Sequence, residues 1–151
     1  MVRFDEIADK LRKTGKKRKR NTDGEHRLQA ECVRTFSMRY PRLRGLLFAV
    51  PNGGKRDEVT AAKLNAEGVV SGVSDLILLC KRGRYGALLI EMKTPKGVLS
   101  PSQKRWRALV EGFGEYRYVV CRSTSQFFDE VDAYLSLDDR QTETTTRTTT
   151  T

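Results

Sequence analysis

Residues 72–93 read GVSDLILLCKRGRYGALLIEMK, in which two apolar runs flank a polar turn that contains two glycines. The apolar runs cover residues 76–80 and 87–90. A short polar segment with glycine between two such runs is typical of a β-hairpin. The pattern therefore predicts two neighbouring antiparallel strands with Gly83 at the centre of their connection.

Two acidic side chains lie at equal distances from the centre of this hairpin. Asp75 and Glu91 are each eight residues from position 83, so antiparallel pairing places them opposite each other. Directly opposed residues point to the same face of a sheet, with Cβ atoms about 5 Å apart. Alternation along the strand then places Lys93 on the face of Glu91, while Met92 points away. Two carboxylates and one ammonium group are predicted to meet at one end of the hairpin.

This set of groups fits metal-dependent hydrolysis of a phosphodiester. The reaction needs a nucleophile, neutralisation of charge at phosphorus and help for the leaving oxygen, and Mg²⁺ or Mn²⁺ held by oxygen ligands supplies all three. Asp75 and Glu91 are the predicted metal ligands, with the backbone carbonyl of Met92 as a third. Lys93 would orient or deprotonate the attacking water. The alternative for each residue alone is a turn aspartate or a solvated charge pair, and only the mirror spacing favours a site.

Composition excludes several other kinds of site. His26 is the only histidine and there is no Cys-x-x-Cys, which argues against histidine-based hydrolases and zinc modules. The three cysteines, Cys32, Cys80 and Cys121, are widely spaced and flanked by apolar residues, which indicates buried free thiols. No apolar run is long enough to span a bilayer and the N-terminus has no signal-peptide core. A cytoplasmic protein with no membrane partner is expected.

The net charge of +10 predicts a polyanionic partner. Residues 1–20 contain nine basic and three acidic side chains, so this segment carries +6 of that charge. The basic run at 16–20 would attract any phosphate backbone without reading its sequence. A solvated tail that aids solubility is the alternative, and the run alone does not decide between them.

The order of apolar patterns predicts one α/β domain, in which helices flank a mixed β-sheet. The predicted elements are a helix that begins with Asp23 as its N-cap and ends near Tyr40, a buried strand at 46–50, a helix at 57–67, the hairpin, a helix at 101–112, a strand at 116–121 and a helix after Ser123. The second hairpin strand, the helix at 101–112 and the last strand would form a parallel crossover. The predicted organisation is a flexible basic extension at 1–22 with a short helix at 4–11, a domain at 23–136 and a disordered threonine-rich tail at 137–151.

Several segments together resemble the VRR-NUC domain of the PD-(D/E)XK nuclease superfamily, which has the restriction-endonuclease-like fold. The resemblance extends over most of residues 24–135 and lies in the segments 25–29, 50–54, 68–75, 90–93 and 97–103. These motifs occur in the family's order, which is more specific than a single Glu-x-Lys. Ser74 departs from the pattern, since that family often has proline before the aspartate.

The resemblance implies roles for individual residues. Asp75 and Glu91 would bind the metal, Lys93 would be the catalytic lysine, and Gln103 would support the site. Glu25 on the first helix would be an additional acidic residue near the metal, with Glu31 as the competing candidate.

Structural alternatives remain for these accessory residues. Glu25 in a first helical turn also favours the helix dipole, and Gln103 in another first turn could be solvated. The turn at 52–54 and the basic residues after it suit a phosphate contact, and the predicted nucleic-acid contacts are Asn52, Lys55, Arg56 and Lys96. For Trp106 the helical spacing favours core packing over stacking on a base.

The expected activity is that of a hydrolase, a Mg²⁺- or Mn²⁺-dependent endonuclease acting on DNA. Small domains of this kind resemble phage or bacterial proteins that act on branched or junction DNA. A homodimer is a further expectation, because one domain offers one site whereas junction cleavage cuts two strands. Replication or repair proteins are expected partners. The alternative function is a nucleic-acid-binding module whose nuclease-like site is inactive.

Overall fold

Residues 22–51 and 57–138 of a computed structural model are described, and they form a four-stranded mixed sheet flanked by helices. The elements are α1 (Thr22–Arg39), a 3-10 helix (Pro41–Leu43), β1 (Leu47–Ala49), α2 (Glu58–Ala66), β2 (Leu76–Leu78), β3 (Ala87–Met92), α3 (Pro101–Phe113), β4 (Tyr116–Cys121) and α4 (Thr124–Leu135). The predicted α/β class and order of elements are confirmed.

Some predictions fall on residues outside the described ranges. They concern the basic extension with its helix at 4–11, most of the threonine-rich tail, and the proposed nucleic-acid contacts Asn52, Lys55 and Arg56. Within the described ranges, no helix is both long and apolar enough to cross a membrane.

The sheet has the order β1-β2-β3-β4 and contains the predicted hairpin. Strands β2 and β3 are antiparallel, and Leu76 pairs with Ile90 while Leu78 pairs with Leu88. This register is centred on position 83, where Gly83 has a positive φ of 53°. Strand β4 is parallel to β3, so the predicted parallel crossover through α3 is also confirmed. The carboxyl ends of β3 and β4 therefore meet at one edge of the sheet.

Strand β3 is buried along its whole length because helices cover both faces of the sheet. Its even-numbered side chains join a large core with Cys32 and Phe36 of α1 and Phe127 and Val131 of α4. Full burial of a leucine, isoleucine, phenylalanine or methionine side chain contributes about 1.5–3 kcal/mol to the free energy of unfolding.

The opposite face of β3 packs against α3. Ala87 and Leu89 form a second cluster with Tyr118, against which Trp106 and Val110 are packed. This contact confirms that Trp106 belongs to the core. Because Glu91 alternates with Leu89 and Ala87, its side chain belongs to this second face.

Two sequence predictions about element ends and burial are wrong. The strand predicted as buried at 46–50 is an edge strand, with Leu47 buried and Phe48 41% exposed, because it pairs with β2 alone in the described sheet. Asp23 is not an N-cap, since helix α1 already includes Thr22. The carboxylate of Asp23 instead lies in the first turn, where the helix dipole favours negative charge.

The cysteine prediction holds for two of the three residues. All three are free thiols, and Cys32 and Cys121 are buried. Cys80 is only half-buried, because it follows the end of β2 at the start of the hairpin connection.

Helix α3 begins with a capping box that fixes the position of Gln103. The Ser100 hydroxyl accepts from the Gln103 backbone amide, and the Gln103 side chain accepts in return from the Ser100 amide. These two bonds satisfy amides that a helix start otherwise leaves without partners. The helix ends at Gly114, which adopts the left-handed conformation at its C-cap. Gln103 is thus held rigidly at the start of the helix that covers Glu91.

The loop before Asp75 packs directly on this first turn of α3. Gly72 has a φ of +85°, and a Cβ added there would lie 2.4 Å from the backbone carbon and oxygen of Ser102. Such a distance is shorter than any van der Waals contact, so the two backbones approach as closely as glycine allows. Gly72 therefore sets the spacing between the Asp75 loop and the helix that carries Gln103.

We predict that Gly72→Ala is more destabilising than Gly68→Ala. Both glycines have positive φ, so each substitution carries the cost of a left-handed alanine, about 1–2 kcal/mol. A Cβ at Gly68 meets nothing within 4 Å, whereas one at Gly72 overlaps helix backbone. We expect an additional loss of about 1–3 kcal/mol for Gly72→Ala, as for other overpacked sites, measured by urea unfolding. Equal losses in the two variants would contradict the close approach.

Candidate metal centre

The structure brings together the three residues predicted from the hairpin. Asp75 directly precedes β2, Glu91 is the fifth residue of β3, and Lys93 directly follows that strand. Asp75 Oδ2 accepts a 2.8 Å hydrogen bond from the Met92 amide, which ties the aspartate to the end of β3. Asp75 is half-buried, whereas Glu91 is 0% and Lys93 5% exposed. The cluster lies at the carboxyl end of β3, as its spacing predicted.

The two oxygens of the Glu91 carboxylate have different surroundings. Oε1 lies 2.7 Å from Lys93 Nζ and also accepts a hydrogen bond from Gln103 Nε2. Oε2 is buried and no donor among the described residues binds it, while the Asp75 carboxylate lies within hydrogen-bonding range of the Glu91 side chain. A buried carboxylate oxygen without a partner is costly, and this cost is removed when the oxygen binds a cation. One oxygen is thus fixed by the protein, and the other has the character of a metal ligand.

The Met92 backbone is oriented towards Asp75. The amide and carbonyl of one strand residue point to the same side of the strand, and the Met92 amide donates to Asp75. The Met92 carbonyl is therefore directed to the Asp75 side, whereas the next amide, that of Lys93, donates across to Cys121 in β4. This orientation is compatible with the predicted role of the Met92 carbonyl as a third ligand.

Glu25 approaches the cluster from the first turn of α1. Its Oε1 lies 4.0 Å from Lys93 Nζ, and its side chain is 32% exposed. Glu31, the competing candidate, is exposed and lies six residues further along the helix, about 9 Å in helical rise. The structure therefore places Glu25, rather than Glu31, beside the lysine.

Gln103 contacts the cluster, as the resemblance implied, and it also caps its own helix, so its side chain is not simply solvated. Its side-chain oxygen accepts a 2.8 Å bond from the Ser100 amide, and its side-chain nitrogen donates to Glu91. The capping bond fixes which way the amide faces, so the donor group is directed at the carboxylate. A helix cap thereby positions Glu91 Oε1.

The two acidic groups repel each other in a buried environment. Burial, followed by the charge of Asp75, raises the pKa of Glu91 to about 7, although Lys93 acts in the opposite direction. Burial also raises the pKa of Asp75, against the lowering effects of the Met92 amide and Lys93. A divalent cation would relieve this repulsion and compete with the proton.

The available donors fit a hard cation with open coordination positions. Within residues 22–51 and 57–138 there is no cluster of three or more histidine, cysteine, aspartate or glutamate side chains suited to a metal. Two carboxylates and a carbonyl are instead the kind of partial set that Mg²⁺ uses together with water and substrate phosphates. The unpartnered Oε2 of Glu91 is the feature of this chain that supports such binding.

The remaining predicted residues are less closely connected to the cluster. Lys96 is exposed on the loop after Lys93. Val50, whose amide donates to the Asp75 carbonyl at 2.9 Å, precedes the segment that contains the other predicted nucleic-acid contacts. Ser74, at the position of the family's proline, is buried and donates to the Leu76 carbonyl at 3.2 Å.

Two contacts near the cluster were not predicted from the sequence. Arg122 donates to carbonyls of the loop after Lys93, and Gly97 lies against the lysine side chain. No local pattern predicts the Arg122 contact, because it arises only when β4 pairs with β3.

Two of three comparisons with known proteins give matches. A family model described as the VRR-NUC domain matches residues 23–125, a range that includes Glu25, Asp75, Glu91, Lys93 and Gln103. Among solved structures, a chain described as a VRR_NUC domain protein matches with a TM-score of 0.65 at 25% identity, covering 76% of this chain and 90% of that chain. The comparison with curated proteins gives no match.

We predict that, without metal, the free energy of unfolding falls as pH rises from about 5 to about 7. In this window the folded state keeps the proton on Glu91, whose pKa is about 7, while the unfolded state has lost it. The folded pKa lies above the unfolded value, so the stabilising contribution is present at low pH and is lost on raising the pH.

Glu91→Gln should flatten this part of the pH profile, because the amide does not titrate. The matched control is Glu67→Gln at an exposed position, which should keep the wild-type slope. Urea unfolding in EDTA across the pH range measures both variants. A Glu91→Gln profile with the same slope as wild type would show that Glu91 does not hold a proton in this window.

Proposed function

The chain belongs to the VRR-NUC domain family, which implies a nuclease-like function on DNA, and we propose that it is a divalent-metal-dependent endonuclease. The proposed cofactor is Mg²⁺ or Mn²⁺, and the reaction is hydrolysis of DNA phosphodiester bonds. The observation that carries the proposal is the buried, unpartnered Oε2 of Glu91, in a cluster with Asp75 and Lys93.

In this proposal Asp75, Glu91 and the Met92 carbonyl hold the metal. When bound, the ion supplies neutralisation of charge at the scissile phosphate and activation of a water molecule. Gln103 and Lys93 both bind Glu91 Oε1, so they fix the carboxylate with Oε2 available. Glu25 is a proposed additional acidic residue of the same centre.

Lys93 is the proposed catalytic lysine. Its ammonium group is buried and lies 2.7 Å from Glu91, so its position relative to the metal ligands is defined. From there it orients the attacking water and stabilises the negative charge that develops at phosphorus. A catalytic group that is held in place before the reaction accelerates it more than a mobile group does.

The substrate proposal rests on charge and on the family. A net charge of +10 favours a polyanion, and Lys96 presents an exposed ammonium group three residues after Lys93. Asn52, Lys55 and Arg56 remain proposed nucleic-acid contacts. Contacts of this kind go to phosphates and do not read sequence.

We further propose selectivity for branched or junction DNA, with a homodimer supplying two sites and with replication or repair proteins as partners. A panel of linear, flapped and four-way-junction DNA, combined with a measurement of molecular mass in solution, tests this point. A strict monomer that nicks simple duplexes as fast as junctions would contradict the proposed selectivity and the proposed dimer.

We predict that Asp75→Asn and Lys93→Met each lower the rate of DNA cleavage in Mg²⁺ or Mn²⁺ by about 10²–10⁴-fold, because each removes a group that acts on the reacting centre. The matched controls are Asp129→Asn and Lys81→Met, which change the same charges at exposed positions outside the cluster. Cleavage of end-labelled DNA measures all four variants, and the controls should retain wild-type rates.

Two outcomes of this assay would contradict the proposal. Unchanged rates in Asp75→Asn and Lys93→Met would show that the cluster is not the active site. Wild-type protein that binds the DNA panel but cleaves none of it with either metal would instead favour the nucleic-acid-binding module.

A further inference from the structure

The loop after Lys93 is held by a guanidinium group from the next strand. Arg122, directly after β4, donates through Nη1 to the carbonyls of Thr94 at 2.9 Å and Gly97 at 2.5 Å. The Gly97 amide donates to the same Thr94 carbonyl at 3.0 Å, which closes a tight turn at residues 94–97. One cationic group thus binds both ends of this turn.

The turn lies directly against the Lys93 side chain. A Cβ added at Gly97 would be 3.2 Å from Lys93 Cδ and 3.1 Å from Thr94 Oγ1, tighter than ordinary contacts. The Lys93 side chain is only 6% exposed. Backbone atoms of the turn therefore cover the aliphatic part of the lysine and restrict where its ammonium group can go.

Arg122 is itself fixed by the elements on either side of it. Its backbone amide donates to Gln126 Oε1 at 2.8 Å, and the following residue, Ser123, caps helix α4. The preceding residue, Cys121, accepts the backbone bond from Lys93 at 2.9 Å. Lys93 is thus linked to the turn in two ways. The turn follows it directly in the chain, and its backbone bond to Cys121 places the next residue, Arg122, where the guanidinium group binds the turn.

The charge of Arg122 has no acidic partner among the described residues. Arg39, Arg107 and Arg117 all form ion pairs with carboxylates there, whereas Arg122 donates to main-chain carbonyls. A half-buried guanidinium group that binds only backbone acts on the shape of the loop. A single nitrogen, Nη1, donates to both carbonyls and so holds the two ends of the turn close together.

We propose that Arg122 is a positioning residue for Lys93, acting through the turn at 94–97. By holding the turn closed it keeps the backbone of Gly97 against the lysine, so that the ammonium group stays at Glu91. The effect on catalysis rests on the proposed nuclease function. The binding of the turn at 94–97 by Arg122, called the clamp below, does not.

Removal of the clamp should affect the chemical step more than DNA binding. In Arg122→Ala the turn opens and the lysine gains alternative positions. A displacement of about 1 Å in a reacting group lowers rates by up to about 10²-fold. We therefore expect kcat to fall by roughly 10- to 100-fold while the KM for DNA is unchanged.

The matched control is Arg117→Ala. Arg117 lies on β4, the strand that Arg122 directly follows; it is also half-buried and binds Glu130 of α4 at 3.1 Å, away from the turn. Gly97→Ala is a second test variant, since it pushes on Lys93 Cδ while leaving Arg122 in place. Arg122→Lys keeps the positive charge and has donors for two carbonyls, but its flexible stem holds the ammonium group less firmly, so it should restore part of kcat.

Two measurements are made on each folded, full-length variant. Hydrogen exchange without DNA or metal reports the Gly97 amide, which should exchange faster in Arg122→Ala than in Arg117→Ala or wild type. Steady-state cleavage gives kcat and KM, and kcat should fall in Arg122→Ala and Gly97→Ala but not in Arg117→Ala.

The results that would overturn the inference are specific. Wild-type exchange at Gly97 in Arg122→Ala would show that the guanidinium group does not hold the turn. A raised KM with unchanged kcat would make Arg122 a DNA contact instead. If the wild-type protein cleaves no DNA, the proposed function fails, while the exchange measurement still supports or overturns the clamp.

Discussion

The burial of the Glu91 carboxylate is the constraint on which the site depends. A charged group at 0% exposure is costly unless its oxygens have partners. Lys93 and Gln103 both bind Oε1, and Oε2 has no partner among the described residues. The fold therefore stabilises half of this carboxylate and leaves the other half suited to a cation.

The architecture of the domain follows from the need to hold this group. Glu91 lies on β3, the strand that helices cover on both faces, so the residue is shielded from water. Helix α3 brings Gln103 to it through a capping box, and the close approach at Gly72 sets how near that helix comes. Elements that stabilise the core thus also position the proposed metal ligands.

Local patterns were sufficient to predict the hairpin and its three polar residues. Period-two alternation and a glycine-containing turn determine which residues oppose each other, so Asp75, Glu91 and Lys93 were correctly placed together. Contacts that depend on how separate elements approach were not predictable in this way. The clamp by Arg122, the backbone contact at Gly72 and the exposure of Phe48 all arise from the packing and pairing of elements distant in sequence.

Anomalous scattering from Mn²⁺ in crystals of the protein tests the account most directly. We expect a manganese peak within coordination distance of both Glu91 Oε2 and the Asp75 carboxylate, since a hard cation is bound by oxygen ligands. The same peak should be absent from crystals of Glu91→Gln. Wild-type crystals in Mn²⁺ with no peak at these two carboxylates would contradict the proposal that they form a metal centre.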